Sequence, residues 1–435
     1  MATGRTNAAG GIGLDGVIAE YTAQGGITAG DFVAIVRQYA PNDNARLSSK
    51  APFLQYFSAV ELDADTVFIA HADGEVDALF ATLITVSSGA ISVGASVQLT
   101  TGTSSGLQPQ AQVLTNGNVF IAHGGSTSYP SLYCVCSVSG GAITRVTSGT
   151  IISTAKTANY SVLCKMQDGA LAYIFFSGSS YYGIKITANG SGVTISAATQ
   201  IVGSLTYSLS TAKPCACLMD DGNLLVSHGT NQVDQAFSII SPSFGLLYQG
   251  IANQTAFCAI RSTIVRLGEN KYLAIRSGGA STGTCVAYAR VVSASGTSLS
   301  FGEEVMLFAG YERSSQLDCC RLPNGQVLFC CVSLQFGTTP APHAVIIDIS
   351  GSAASVAAQY DLSSADGIRG ECARCVTLSG GQTLALFSEY DYFYLYGCAL
   401  AETVFVEKSG NPDAIAIQSC ASGGTVKIFV PEKGE

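Results

Sequence analysis

One short arrangement of apolar and polar positions recurs along most of this chain. An apolar residue is followed by two turn-type residues, a glycine or substitute, one polar residue and then an apolar run. The copies are LDADTVFIA from Leu62, LTNGNVFIA from Leu114, MQDGALAYI from Met166, MDDGNLLVS from Met219, LGENKYLAI from Leu267, LPNGQVLFC from Leu322 and LSGGQTLAL from Leu378. Successive anchors lie 48 to 56 residues apart. The fourth position reads Asp65, Gly117, Gly169, Gly222, Asn270, Gly325 and Gly381, all residue types that tolerate the positive φ of a tight hairpin. An apolar segment such as SVLCKM (161–166) or STIVRL (262–267) precedes each copy and predicts the first strand of that hairpin. A second hairpin, as in LYCVCSVSGGAITRV from Leu132 or AYARVVSASGTSLSF from Ala287, follows most copies.

Two hairpins per unit make four antiparallel strands, and tandem four-stranded units of this length match the blades of a propeller. No copy sustains a 3.6-residue apolar period, which excludes a helical repeat. An open β-solenoid or a stack of sandwiches is the rival, but solenoid coils are usually shorter. The expected fold is therefore all-β, a seven-bladed β-propeller over residues 51–400. Residues 1–50 and 401–435 lack the repeat and are expected to form two halves of a small β-barrel or sandwich module.

Composition fits this picture. Only 12% of the residues are charged while 47% are hydrophobic, and the 48 glycines are spread rather than gathered into a linker. The net charge of −9 and the scattering of 21 Lys and Arg remove the basic footprint of a nucleic-acid binder. No run of eighteen apolar residues predicts a membrane-spanning helix, and residues 1–13 lack a signal-peptide core. Fifteen cysteines cannot all pair internally, and doublets such as Cys134 and Cys136 or Cys330 and Cys331 sit in apolar strand segments. They are expected to be small buried hydrophobes of a protein folded in a reducing cytoplasm. Cys372 and Cys375 have metal-ligand spacing but no second pair, so strand packing is the preferred reading and no metal or cofactor is expected.

Candidate chemistry is sparse. Glycoside hydrolysis needs two placed carboxylates, and Glu389 and Asp391 fall in the acidic, tyrosine-rich segment EYDYFYLYG with Tyr390, Tyr392 and Tyr394. That segment is expected to be a rim loop that contacts a ligand, not a catalytic pair. The chain has no tryptophan, and its turns differ from the Asp-box turns of sialidase-type propellers. His71, His123 and His228 each fall nine residues after their anchors, which raises the question of three imidazoles on one rim. No nucleophile elbow, zinc-helix or phosphate-loop motif occurs in a suitable context, and no catalytic residue is assigned.

The two ends carry a resemblance. An AGDxV step at Ala29, Gly30, Asp31 and Val33, and a later phrase with Gly423 and Val426, resemble a small β module of tailed-phage virion proteins. Ala414 stands where that module usually has Gly. The resemblance implies an anchoring module split by an inserted propeller, assembly in the host cytoplasm and residence in the virion. Tail or baseplate association is expected first, with capsid decoration or a head-fibre role as the alternative. The implied partners are other virion proteins and a host-surface glycan or protein, with a homo-oligomer in the particle. A polysaccharide-degrading propeller and a bacterial intracellular scaffold are the competing readings.

Overall fold

The computed structural model describes residues 16–431, leaving out 30, 42–44, 47–56, 73–77, 88–89, 101–107, 125–129, 153–160, 178–179, 191, 203–213, 230–234, 253–258, 280–284, 310, 313–316, 335–340, 363–369, 390–394, 409–413, 417–422 and 424. The chain divides into two compact units, residues 41–400 and residues 1–40 with 401–435.

The larger unit is a seven-bladed propeller. Its inner strands are Phe57–Glu61, Gln110–Val113, Ser161–Lys165, Cys215–Leu218, Ala259–Gly268, Asp318–Arg321 and Gly370–Thr377, one per blade. Each pairs antiparallel with a second strand and that with a third. In blade 1 the outer strand breaks into Ala90–Val93 and Val97–Gln98, both pairing with the third strand Leu79–Ser87. Blades 3 and 5 break their outer strands in the same way.

Blade 7 departs from the repeat. Its third strand, Leu395–Lys408, finds its outer partner in Ala45–Arg46, with Ala45 opposite Gly397 and Arg46 opposite Tyr396. The ring is thus closed by a strand from the opposite end of the sequence, which is why the seventh copy has no second hairpin. Residues 45–46 belong to a blade rather than to the terminal segments.

The turn column behaves as expected at six of its seven positions. Gly117, Gly169, Gly222, Gly325 and Gly381 have φ between 82° and 91°, and Asn270 has φ 53°. In blade 2 Gly117 N donates to Leu114 O at 3.0 Å and Leu114 N to Asn118 O at 2.7 Å, the three-residue hairpin in which a left-handed glycine follows a type I turn. Asp65 is the correction, because it is not among the residues with positive φ. That hairpin is held instead by Asp63, whose Oδ1 accepts from Asp65 N at 3.0 Å. An Asx turn needs no left-handed residue.

Side chains alternate along each second strand, so every blade feeds two seams. Val67 and Ile69 pack with Leu384 and Leu386 of blade 7, while Phe68 and Ala70 pack with Val119 and Ile121 of blade 2. The same division recurs in blade 5, where Leu273 and Ile275 meet Phe329 of blade 6 and Tyr272 and Ala274 meet Phe237 of blade 4. The core is a set of seams between blades, filled largely by apolar side chains.

In the smaller unit Gly16–Ala23 runs antiparallel to Thr425–Pro431 and parallel to Leu395–Lys408 at Thr22 opposite Phe405. Ala414–Ala416 pairs with both Thr425–Pro431 and Phe32–Pro41. Among the described residues no helix is long and apolar enough to cross a membrane.

Candidate functional site

Seven inner strands around one axis bring repeat-equivalent residues together. The position four residues before each anchor is Ser58, Gln110, Val162, Cys215, Thr263, Asp318 and Arg374, and all seven line a central cavity of about 230 Å³. The lining is stitched from blade to blade by side chains. Ser58 Oγ accepts from Ala111 N at 3.0 Å, and Gln110 Nε2 donates to Ser161 O at 2.7 Å. Thr263 Oγ1 lies 3.5 Å from Cys319 Sγ. Asp318 bridges blades 6 and 7: its Oδ1 accepts from Cys319 N at 3.0 Å and its Oδ2 from Cys375 N at 3.2 Å.

This ring carries one acid and one base, Asp318 and Arg374, in adjacent blades. The guanidinium of Arg374 leans toward blade 1. Its Nη1 donates to Ala373 O at 2.9 Å, and its carbon lies 6.0 Å from the centre of the Phe57 ring of blade 1. Among the described residues Arg374 makes no ion pair. The cavity wall thus carries one positive and one negative side chain.

The histidine column does not form a rim site. His71, His123 and His228 are buried, on the second-strand face that packs against the preceding blade. Each ring reaches diagonally across its own hairpin: His71 Nε2 lies 2.9 Å from Thr82 Oγ1, His123 Nε2 3.6 Å from Cys134 Sγ and His228 Nε2 3.0 Å from Ser238 Oγ. Blades 3, 6 and 7 fill this position with Phe175, Cys331 and Phe387. Among the described residues no group of three His, Cys, Asp or Glu could hold a metal ion.

Blade 5 replaces the imidazole with Arg276 and its diagonal partner with Arg290. Arg276 Nε and Nη2 each donate to Glu304 at 2.8 Å in a bidentate pair, and Arg290 Nη2 lies 3.5 Å from Glu304 Oε1. All three side chains are nearly inaccessible, at 1%, 7% and 4% exposure. Tyr288 offers its ring face to Arg276 at 4.5 Å. Burial depresses the Arg290 pKa, against the opposing pull of Glu304. This is a structural charge cluster in a seam, one carboxylate serving two guanidiniums.

Among the described residues nine thiols, those of Cys134, Cys136, Cys164, Cys319, Cys330, Cys331, Cys372, Cys375 and Cys398, are buried packing groups. Cys372 belongs to the cluster between blades 7 and 1, while Cys375 turns toward blade 6, where its Sγ lies 3.8 Å from Leu328 O. Three residues apart on a strand, they face opposite seams and cannot act as a ligand pair. Burial pushes the Cys134 thiol up to about 11 and the Cys136 and Cys164 thiols up to about 12.

Of the proposed rim segment, Tyr390, Asp391, Tyr392 and Tyr394 lie outside the described residues. Glu389 ends the second strand of blade 7, opposite Gly370. In the terminal unit, Asp31 Oδ2 accepts from Thr28 N at 2.6 Å, and Asp31 N donates to Thr28 O at 2.9 Å. Asp31 thus closes a turn back onto Thr28, with Ala29 exposed and Val33 buried just beyond. Gly423, at φ 78°, donates its N–H to Ala23 O at 2.7 Å, and Val426 lies on the strand that follows, opposite Tyr21. Gly30 lies outside the described residues.

No protein-family model matches this sequence, and no curated protein is similar to it in sequence. Solved structures of similar architecture include a protein of unknown function from Dyadobacter fermentans, at 12% identity over 84% of this chain and 98% of that one, with a TM-score of 0.44. The intramolecular trans-sialidase from Ruminococcus gnavus shares 13% identity over 82% of this chain and 95% of its own, at a TM-score of 0.40. AofleA from Arthrobotrys oligospora shares 9% over 75% and 90%, at 0.46. At this distance no ligand or activity carries over from any of them.

Proposed function

We propose that this chain is a non-enzymatic attachment protein of a tailed-phage particle. Its terminal segments form a small closed β-barrel that docks on the virion, at the tail or baseplate in preference to the capsid. Its propeller is displayed to bind a host-surface glycan or protein, or a neighbouring virion protein.

The observation that carries this reading is the strand pairing of the two ends. Segments nearly four hundred residues apart pair in the order Gly16–Ala23, Thr425–Pro431, Ala414–Ala416, Phe32–Pro41 and Leu395–Lys408, and the last returns to the first. A cycle of pairings has no free edge, as a self-contained anchoring module requires. Of the residues that resemble virion proteins, Asp31 and Gly423 fall at turns and Val33 and Val426 on the strands that follow. Binding is favoured over hydrolysis because, among the described residues, the central cavity presents one carboxylate, and that one already holds two backbone amides.

The test is gold-labelled antibody on particles induced from the host that carries the gene, for the full chain and for a chain lacking residues 1–40. Label on intact particles, lost with the truncation, is the expected result. Label confined to the particle-free lysate, or full retention by the truncated chain, overturns the reading. So does release of reducing ends when the purified protein is incubated with host-surface polysaccharide.

A further inference from the structure

Between blades 5 and 6 the seam is filled by aliphatic and aromatic side chains such as Leu273, Ile275 and Phe329. Between blades 6 and 7 the strand registers bring sulfur to both sides. On blade 6 Cys330 stands opposite Asp318 and Cys320 opposite Leu328, and residues directly opposite, or two apart on a strand, share a face. That face is turned to blade 7, because Asp318 Oδ2 accepts from Cys375 N at 3.2 Å and Leu328 O lies 3.8 Å from Cys375 Sγ. On blade 7 Cys375 is opposite Ala385 and Ala385 opposite Cys398, so Cys398 faces blade 6 as well. Four thiols thus face one seam, and that of Cys375 is in hydrogen-bonding contact with both Cys320 and Cys330.

Burial holds the Cys320 and Cys375 thiols well above the ordinary thiol range. Both are neutral at neutral pH and slow to react, which keeps them reduced wherever small thiols abound. Cys320 differs from its three companions in keeping part of its surface exposed, while the others are buried. Its sulfur also accepts from Thr377 Oγ1 of blade 7 at 3.3 Å, which ties it to the strand that carries Cys375. A small oxidant can reach Cys320, and the sulfur it meets there already has Cys375 as its neighbour across the seam.

We propose that Cys320 and Cys375 form a modification site, an oxidisable pair that closes a disulfide between blades 6 and 7 when the protein meets a peroxide. The Cys320 sulfur attacks one peroxide oxygen, the O–O bond breaks, and a sulfenic acid and water result. The Cys375 sulfur then attacks the sulfenic sulfur, and the hydroxyl leaves as water with the Cys375 proton. Two thiols and one hydrogen peroxide become one disulfide and two waters, each sulfur oxidised by one electron. The bond would tie the blade that completes the ring to its neighbour. This goes beyond the attachment reading and does not depend on it, since it is measured on the purified full chain.

The test treats that chain with hydrogen peroxide, blocks the remaining thiols with iodoacetamide in denaturant and maps tryptic peptides without reduction. Peptide 314–321 joined to peptide 375–408 is expected, with fragmentation placing the link on Cys320 and Cys375. The link should vanish in Cys320→Ala and Cys375→Ala and persist in Cys398→Ala. Oxidation should shift the folding equilibrium at fixed urea by roughly a hundredfold toward the native state, reversibly on reduction, in the parent chain and not in Cys320→Ala. Because Cys320 is partly exposed, that variant tests the pair even if Cys375→Ala folds poorly. Thiols that all remain free, sulfinic acid on Cys320 beside a free Cys375, a link that bypasses Cys375, or oxidation that weakens the fold would overturn the proposal.

Discussion

Glu304→Gln isolates the cost of an uncompensated buried charge. Glu304 holds Arg276 through two 2.8 Å bonds and stands 3.5 Å from Arg290, with no side chain of the three more than 7% exposed. The amide keeps the shape of the carboxylate and removes its charge, leaving two guanidiniums in one seam without it. Removing one member of a buried ion pair costs about 3–5 kcal/mol, and a carboxylate shared by two cations belongs at the upper end, about 4–5 kcal/mol. With a urea m-value of about 3 kcal/mol/M, the unfolding midpoint should drop by about 1.5 M. The chain has no tryptophan, so tyrosine fluorescence and circular dichroism are the probes. Replacing the triad together by Met, Leu and Met should cost far less than Glu304→Gln alone, because the desolvation of all three charges disappears with them. Added salt should change little, since the pair is buried. A loss below about 1 kcal/mol for Glu304→Gln would show that water reaches the arginines and would refute the reasoning from their burial.

Two further predictions follow from the turns and the thiols. An added Cβ at Gly117 meets nothing within 4 Å, so Gly117→Ala measures the left-handed backbone alone and should cost about 1–2 kcal/mol. At Gly222 the same Cβ falls 2.3 Å from Gln167 Oε1, and Gly222→Ala should cost more, a difference that vanishes in a Gln167→Ala background; equal costs in chemical denaturation would refute the steric term. Cys134, Cys136 and Cys164 have folded pKa values raised from 9.0 to about 11, 12 and 12. A raised thiol pKa contributes stability fully present below the unfolded value and lost as pH rises through the folded one, so stability should hold up to about pH 8 and decline between about 9 and 12. Substituting all three by Ala should flatten that decline, as urea titrations at each pH would record.

How much of this was legible in the sequence depends on what the repeat encodes. Blade number, strand count and hairpin chemistry follow from alternation and turn residues, which act locally. Asp65 deceived because an aspartate two residues earlier can close the same hairpin without positive φ. The histidines deceived because a repeat position fixes height on a blade but not which face of the strand a side chain takes. Parity against Val67 and Ile69 would have placed His71 in a seam. The channel ring was available in the same alignment, four residues before each anchor, where an acid and a base stand among Ser58, Gln110, Val162, Cys215 and Thr263. Closure of blade 7 was not available, because a two-residue strand at 45–46 carries no pattern, and its partner lies at the far end of the chain.

That closure has a consequence for how the protein is made. The strand at 45–46 leaves the ribosome about 350 residues before its partner at 396–397. At about 5–20 residues per second it waits roughly 20–70 s with its hydrogen-bonding groups unspent. Six blades can collapse hairpin by hairpin in that interval, but the ring remains an open arc whose first and last seams face water. Completion of the propeller is therefore a late event timed by translation, and the nascent arc is the form a chaperone would have to shield.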